Sequence, residues 1–103
     1  MDYLAAFFAG AFLCNCIPHL ACGLRGELFP TPFGKPRGKG PSSPLMNFLW
    51  GTFNVLVGLF LLSRHPVAVE LSSGFVALTA GALATGIYLS LHFGKVRQDR
   101  ASI

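Results

Sequence analysis

Three stretches of this chain contain no Asp, Glu, Lys or Arg: between Asp2 and Arg25, between Lys39 and Arg64, and between Glu70 and Lys95. A helix rises about 1.5 Å per residue and about 20 apolar residues cross the hydrocarbon core of a bilayer, so each stretch is long enough to span one. Only 12% of the 103 residues are charged and 52% are hydrophobic, whereas roughly a quarter of the residues of a soluble domain carry charge. The fold class these features predict is all-α. The chain reads as one integral membrane domain over residues 1–103, with transmembrane helices at about 3–22, 45–63 and 72–93, a long Pro/Gly-rich first loop over 24–44 and a basic tail over 94–103.

Local chemistry sets the ends of these segments. Ser43 followed by Pro44 supplies a capping hydroxyl and a first-turn proline, and Pro66 marks the end of the second segment. The third segment starts best at the Ser72–Ser73 pair, because a start at Pro66 makes it longer than a bilayer is thick. The first segment is not expected to be a cleaved secretory signal, since it opens on Asp2 with no Lys or Arg before the apolar run.

Orientation follows from the positive residues. Arg25, Lys35, Arg37 and Lys39 lie in the first loop and Lys95, Arg97 and Arg100 in the tail, against Arg64 alone in the second connection. The positive-inside rule then predicts a cytoplasmic first loop and C-terminus, with the N-terminus and the second connection outside. The expected location is a membrane, which the chain crosses as a multi-pass protein.

Prolines at 30, 32, 36, 41 and 44 and glycines at 26, 34, 38 and 40 predict neither helix nor strand in the first loop. Phe29 and Phe33 flank Pro30-Thr31-Pro32 and let the first half dip toward the interface. Lys35, Arg37 and Lys39 would then meet lipid headgroups, each adding about 1 kcal/mol of attraction to an anionic surface. The same charges also act as a topology signal on a solvated linker.

Polar residues inside the spans are the candidate sites. Asn15, Pro18, His19 and Cys22 share one helical face. In the second span Asn47, Gly51, Asn54 and Gly58 do the same, alternating amides with glycines that permit close helix contact. The third carries Gly74, Gly81, Thr85, Tyr88 and His92 along one stripe. Asn15, His19, Asn47, Tyr88 and His92 are expected toward the cytoplasmic half, and Gly51, Gly58, Gly74 and Gly81 as packing positions. Small residues with occasional amides are how membrane helices associate, each interhelical hydrogen bond contributing about 0.6 kcal/mol. His19 stands equally between two readings: an ionisable group within a span is a functional candidate, yet a neutral imidazole bonded to Asn15 or Asn47 is satisfied structurally.

Several chemistries find no support. Cys14, Cys16, His19 and Cys22 lack metal-site geometry, since on an unbroken helix only His19 and Cys22 align, and no cofactor is expected. The three cysteines lie within one apolar segment, which argues against a disulfide framework. Gly34–Gly40 lacks the G-x-x-x-x-G-K-[ST] spacing of a phosphate loop. The only acids, Asp2, Glu27, Glu70 and Asp99, lie outside the centres of the spans, so an enzyme is not expected. Nucleic acid is not an expected partner either, because the basic residues border the apolar segments instead of forming a face of their own.

Pro18-His19-Leu20, Phe29-Pro30-Thr31-Pro32-Phe33, Ser42-Ser43 and Asn47-x-x-Trp50-Gly51-x-x-Asn54 resemble a family of small bacterial three-helix inner-membrane proteins with no known function. The likeness covers most of the chain and implies a bacterial inner-membrane setting, with no assigned site to carry over. The expected function is that of a non-enzymatic membrane protein that self-associates or packs with a larger partner through its small and polar helix faces. The alternative is an oligomeric transporter or channel for a small solute or ion, lined by Asn15, His19 and Asn54. Expected partners are the bilayer, anionic lipid headgroups, and further copies or a larger membrane protein.

Overall fold

The computed structural model describes residues 2–101. Met1 and the last two positions of the expected tail, Ser102 and Ile103, lie outside the described residues. The element order is α1 (Tyr3–Leu24), β1 (Phe29–Pro30), β2 (Pro41–Ser42), α2 (Pro44–Arg64) and α3 (Ser73–Ala101). All three helices are long and apolar enough to cross a membrane.

Each helix begins on a side-chain cap. Asp2 accepts from the Ala5 amide at 3.0 Å, Ser43 from the Met46 amide at 3.1 Å with Pro44 just inside, and Ser72 from the Phe75 amide at 3.2 Å. Pro18 lies within α1 without ending it. Arg64 closes α2 with its guanidinium 5.9 Å from the Phe60 ring. The following connection leaves Val69 and Leu71 almost fully exposed.

Helix α3 does not stop at Phe93 as its hydropathy suggests but continues through the basic tail to Ala101. Apolarity marks where a helix leaves lipid, and nothing in Lys95-Val96-Arg97-Gln98-Asp99 breaks it there. At about 1.5 Å per residue its 29 residues extend about 43 Å, close to the molecule's longest dimension of 47 Å. Val96 in this extension is buried.

The first loop also departs from expectation. It holds a two-residue antiparallel ladder, β1 against β2, with Phe29 opposite Ser42 and Pro30 opposite Pro41. Antiparallel pairs alternate between bonded and non-bonded, and two prolines have no N–H to exchange. Pro30 and Pro41 therefore occupy the non-bonded pair, and Phe29 and Ser42 carry the ladder. The glycines beyond it serve a close backbone crossing: a Cβ on Gly34 would strike the Gly40 carbonyl, and one on Gly40 the Lys35 backbone. Gly38 turns the chain at φ 71°.

Helix α1 is central and packs along both α2 and α3. Against α2, side chains of α1 fill glycine notches: a Cβ on Gly51 would lie 2.8 Å from Leu20 Cγ, and one on Gly58 2.7 Å from Leu13 Cγ. Against α3 the backbones themselves approach, because a Cβ on Gly10 would overlap the Leu78 carbonyl and one on Gly81 the Phe7 carbonyl. Gly74 is buried as well. The small faces of α2 and α3 thus meet α1 of the same chain.

Gly81→Ala should lower the stability of the isolated protein by about 1–3 kcal/mol through overpacking, measured by thermal unfolding in detergent. Gly94→Ala is the control, because a Cβ there meets nothing within 4 Å. Equal melting of the Gly81 variant and wild type would contradict the close α1–α3 approach.

Candidate functional site

The polar groups of the three spans converge at the end where the hairpin lies. Asn47 is fully buried on α2 and uses its whole amide. The two hydrogens of Nδ2 are shared among the carbonyls of Phe29 at 2.9 Å, Ser43 at 3.1 Å and Ser42 at 3.3 Å, while Oδ1 faces His19 Nδ1 at 2.8 Å. One side chain therefore ties both strands of the hairpin to α2, and α2 to α1. One level deeper, Asn54 Nδ2 donates to the Trp50 carbonyl at 2.7 Å and Oδ1 accepts from Asn15 Nδ2 at 2.9 Å.

The hairpin is fixed from its other side too. Thr31 and Ser42, both buried, share a hydroxyl hydrogen bond of 2.6 Å, and Thr31 Oγ1 also accepts from the Phe33 amide at 3.1 Å. Gly34 and Gly38 donate their amides to the Thr31 carbonyl at 3.1 and 3.0 Å. From α3, His92 Nε2 donates to the Gly38 carbonyl at 2.7 Å. The hairpin is a folded element held by all three helices.

Aromatic rings enclose His19. Phe29, Trp50 and Phe93 stand edge-on to it at centroid distances of 5.5, 6.5 and 6.4 Å, and Phe93 also meets Phe29 at 4.6 Å and His92 at 5.0 Å. Such pairs contribute about 0.5–1.5 kcal/mol each beyond burial. Tyr88 is 62% exposed and stacks on His92 at 5.7 Å.

Asn15, His19, Asn47, Tyr88 and His92 do gather at one end as their spacing suggests, and Asn54 joins them through Asn15. Asn15, His19, Tyr88 and His92 line a common cavity of about 170 Å³ with Trp50, Phe93 and the hairpin, whereas Asn54 is not on its wall. Thr31, Ser42, Gly38, Phe29 and Phe93 were not singled out as site residues by their spacing. Phe29 and Thr31 are signalled by the repeated aromatic and proline in Phe29-Pro30-Thr31-Pro32-Phe33, a motif that does not reach Gly38, Ser42 or Phe93.

Lys35, Arg37 and Lys39 are exposed on the hairpin tip. Arg25 bonds Glu27 at the foot of the loop, and that hydrogen bond raises the guanidinium above its ordinary pKa, so it stays charged. A larger cleft of about 540 Å³ runs from Pro18 and Cys22 to Arg25 and Arg97. Among the described residues, no three His, Cys, Asp or Glu side chains cluster closely enough to hold a metal ion, and Cys14, Cys16 and Cys22 are free thiols. No family model, curated protein or solved structure matches the chain.

Asn47→Leu should remove the side-chain hydrogen bonds that tie the Phe29 and Ser42 carbonyls to α2 and loosen the hairpin. Each lost hydrogen bond contributes about 0.5–1.5 kcal/mol, so tryptic cleavage after Arg37 or Lys39 should accelerate by roughly tenfold. Cleavage at the wild-type rate would show that Asn47 does not hold the hairpin.

Proposed function

We propose that this chain is a non-enzymatic multi-pass protein of the bacterial inner membrane, with its N-terminus outside and its C-terminus in the cytoplasm, that docks a larger membrane partner. The observation that carries this reading is the folded hairpin. A topology signal needs only charge, and so does diffuse attraction to lipid; an unstructured loop serves either. Here Asn47, His92, Thr31 and Ser42 all hold the loop in one shape. Lys35 and Arg37 are displayed at its tip, which is bonded to α3 at His92, just before the basic end of that helix. A fixed display of cations suits recognition of a fixed array of acids on a protein.

Self-association through the helix seams has less to work with, because α1 of the same chain fills Gly51, Gly58 and Gly81. The docking surface in this reading is the cytoplasmic hairpin, with the exposed apolar faces of α2 and α3 against lipid or the partner's own spans. Anionic lipid headgroups remain secondary ligands of the same cations.

A second reading draws on the cavity beside His19: a transporter for a small solute, with the hairpin as its cytoplasmic closure. Asn15 and His19 would line the path, whereas Asn54 orients Asn15 from behind. Three helices do not enclose a pore, so further copies or a partner would complete it. Flux in proteoliposomes no faster than through empty vesicles would remove this reading.

For the docking reading, the purified chain in nanodiscs should weigh as a single copy, and mildly solubilised membranes should hold it in a larger complex on native gels. Replacing Lys35, Arg37 and Lys39 together with Gln should release it. A cysteine placed at Ser72 should react with an impermeant maleimide from outside, and one at Arg97 only after permeabilisation. A triple variant that stays in the complex, or reversed labelling, would defeat the proposal.

A further inference from the structure

The two asparagines of α2 impose the same polarity on α1 at two successive levels. Asn47 Nδ2 donates to three backbone carbonyls, so the atom it turns toward His19 is necessarily the oxygen. An amide oxygen only accepts, so His19 Nδ1 carries the hydrogen across their 2.8 Å contact. The neutral imidazole then has its lone pair at Nε2. Asn54 repeats the arrangement: its Nδ2 is committed to the Trp50 carbonyl, its Oδ1 accepts from Asn15 Nδ2, and Asn15 is left with Oδ1. His92 follows the same rule on α3, where donation from Nε2 to the Gly38 carbonyl leaves the lone pair of the neutral ring at Nδ1.

These residues border one space. Asn15, His19 and His92 all line the cavity of about 170 Å³ under the hairpin. His19 is only 2% exposed, and its Nε2 meets no protein group. Among the described residues, no fully buried side-chain nitrogen or oxygen lacks a partner, so Nε2 reaches the open volume of the cavity. Asn15 and His19 lie one helical turn apart on the same face of α1, which sets their Cβ atoms roughly 5–6 Å from each other. Trp50 and Phe93 form the apolar walls, and the Thr31 hydroxyl is already engaged with Ser42 and Phe33.

We propose that this cavity is a binding site for a small neutral solute carrying two or more N–H or O–H donors, of the urea or polyol type. The site has the volume of roughly five water molecules. Its lining holds no Lys or Arg to balance an anion and no carboxylate to balance a cation. The cations of the hairpin tip above it further disfavour a positive ligand. Apolar walls and directed acceptors select for donors without charge. Binding at this site requires neither transport nor the docking partner.

The test uses the full-length protein in nanodiscs, with Trp50, the chain's one tryptophan, as a fluorescent reporter and the ¹⁵N resonance of His19 Nε2 as a direct probe of the acceptor. Urea and glycerol, below denaturing concentrations, are compared with methylammonium and acetate. A saturable shift of both signals with urea or glycerol, and none with the two ions, is the expected result. Asn15→Leu and His19→Phe should each weaken that binding by about tenfold or more. The His19 resonance of the wild type decides the matter if either variant fails to fold. A response to methylammonium alone would replace the proposal with a cation site, and silence toward all four probes would mean that the cavity holds only water. Unchanged neutral-solute binding in folded variants would remove Asn15 and His19 from the site. None of these outcomes bears on whether the hairpin docks a partner, which the native-gel experiment reads separately.

Discussion

The carboxamide of Asn47 is the contact on which the hairpin end of this molecule rests. A chain segment other than a helix can lie against transmembrane helices only where protein groups satisfy its backbone, since each unmet amide or carbonyl in hydrocarbon costs several kcal/mol. The ladder between β1 and β2 satisfies little, because each strand is two residues long and only Phe29 and Ser42 form a bonded pair. Asn47 adds donors from the side, reaching carbonyls on both strands and at the start of its own helix. With its nitrogen so committed, its oxygen fixes the hydrogen on His19, and the cavity beside that ring acquires its polarity.

Helix association uses two devices, and the difference has consequences. Toward α2, leucines of α1 enter notches at Gly51 and Gly58, a contact between flexible side chain and backbone that can adjust by a few tenths of an ångström, whereas at Gly23 the α1 backbone meets that of Pro44 and Phe48 directly. Toward α3, the carbonyls of Phe7 and Leu78 occupy the places where Cβ atoms of Gly81 and Gly10 would stand. That contact is between two backbones and has no side chain to rearrange. It brings α3 close enough for His92 to reach the Gly38 carbonyl. The rigidity of the outer packing and the closure of the hairpin are thus linked through one helix.

How much of this was legible in the sequence depends on the range of each signal. The charge-free runs predict three spanning helices, and the caps at Ser43 and Ser72 place two of their starts within a residue or two, because both signals are local. The glycine and amide faces of α2 were legible as faces, since a side chain's position around its helix follows from spacing alone. Their partner was not: nothing in Gly51 or Gly58 says whether a second copy or α1 of the same chain will fill them. The hairpin was missed because its prolines and glycines read as irregular chain. The residues that fold it lie far off in sequence, with Asn47 reaching back to Phe29 and His92 to Gly38. The extension of α3 was missed for a different reason, since hydropathy reports where lipid ends and not where hydrogen bonding does.

The same geometry explains why His19 resisted a choice between structure and function. Its Nδ1 is structural, bonded to Asn47 and held among Phe29, Trp50 and Phe93. Its Nε2 is not needed for any contact in the fold. A leucine or phenylalanine would fill the same space without the expense of an imidazole in a membrane helix, if packing alone were required. A glutamine could answer Asn47 with an amide hydrogen, but its free rotation about three bonds would not aim a second polar atom in one direction. Imidazole holds a donor and an acceptor rigidly on opposite sides of one ring, and a fold that fixes the donor has thereby aimed the acceptor.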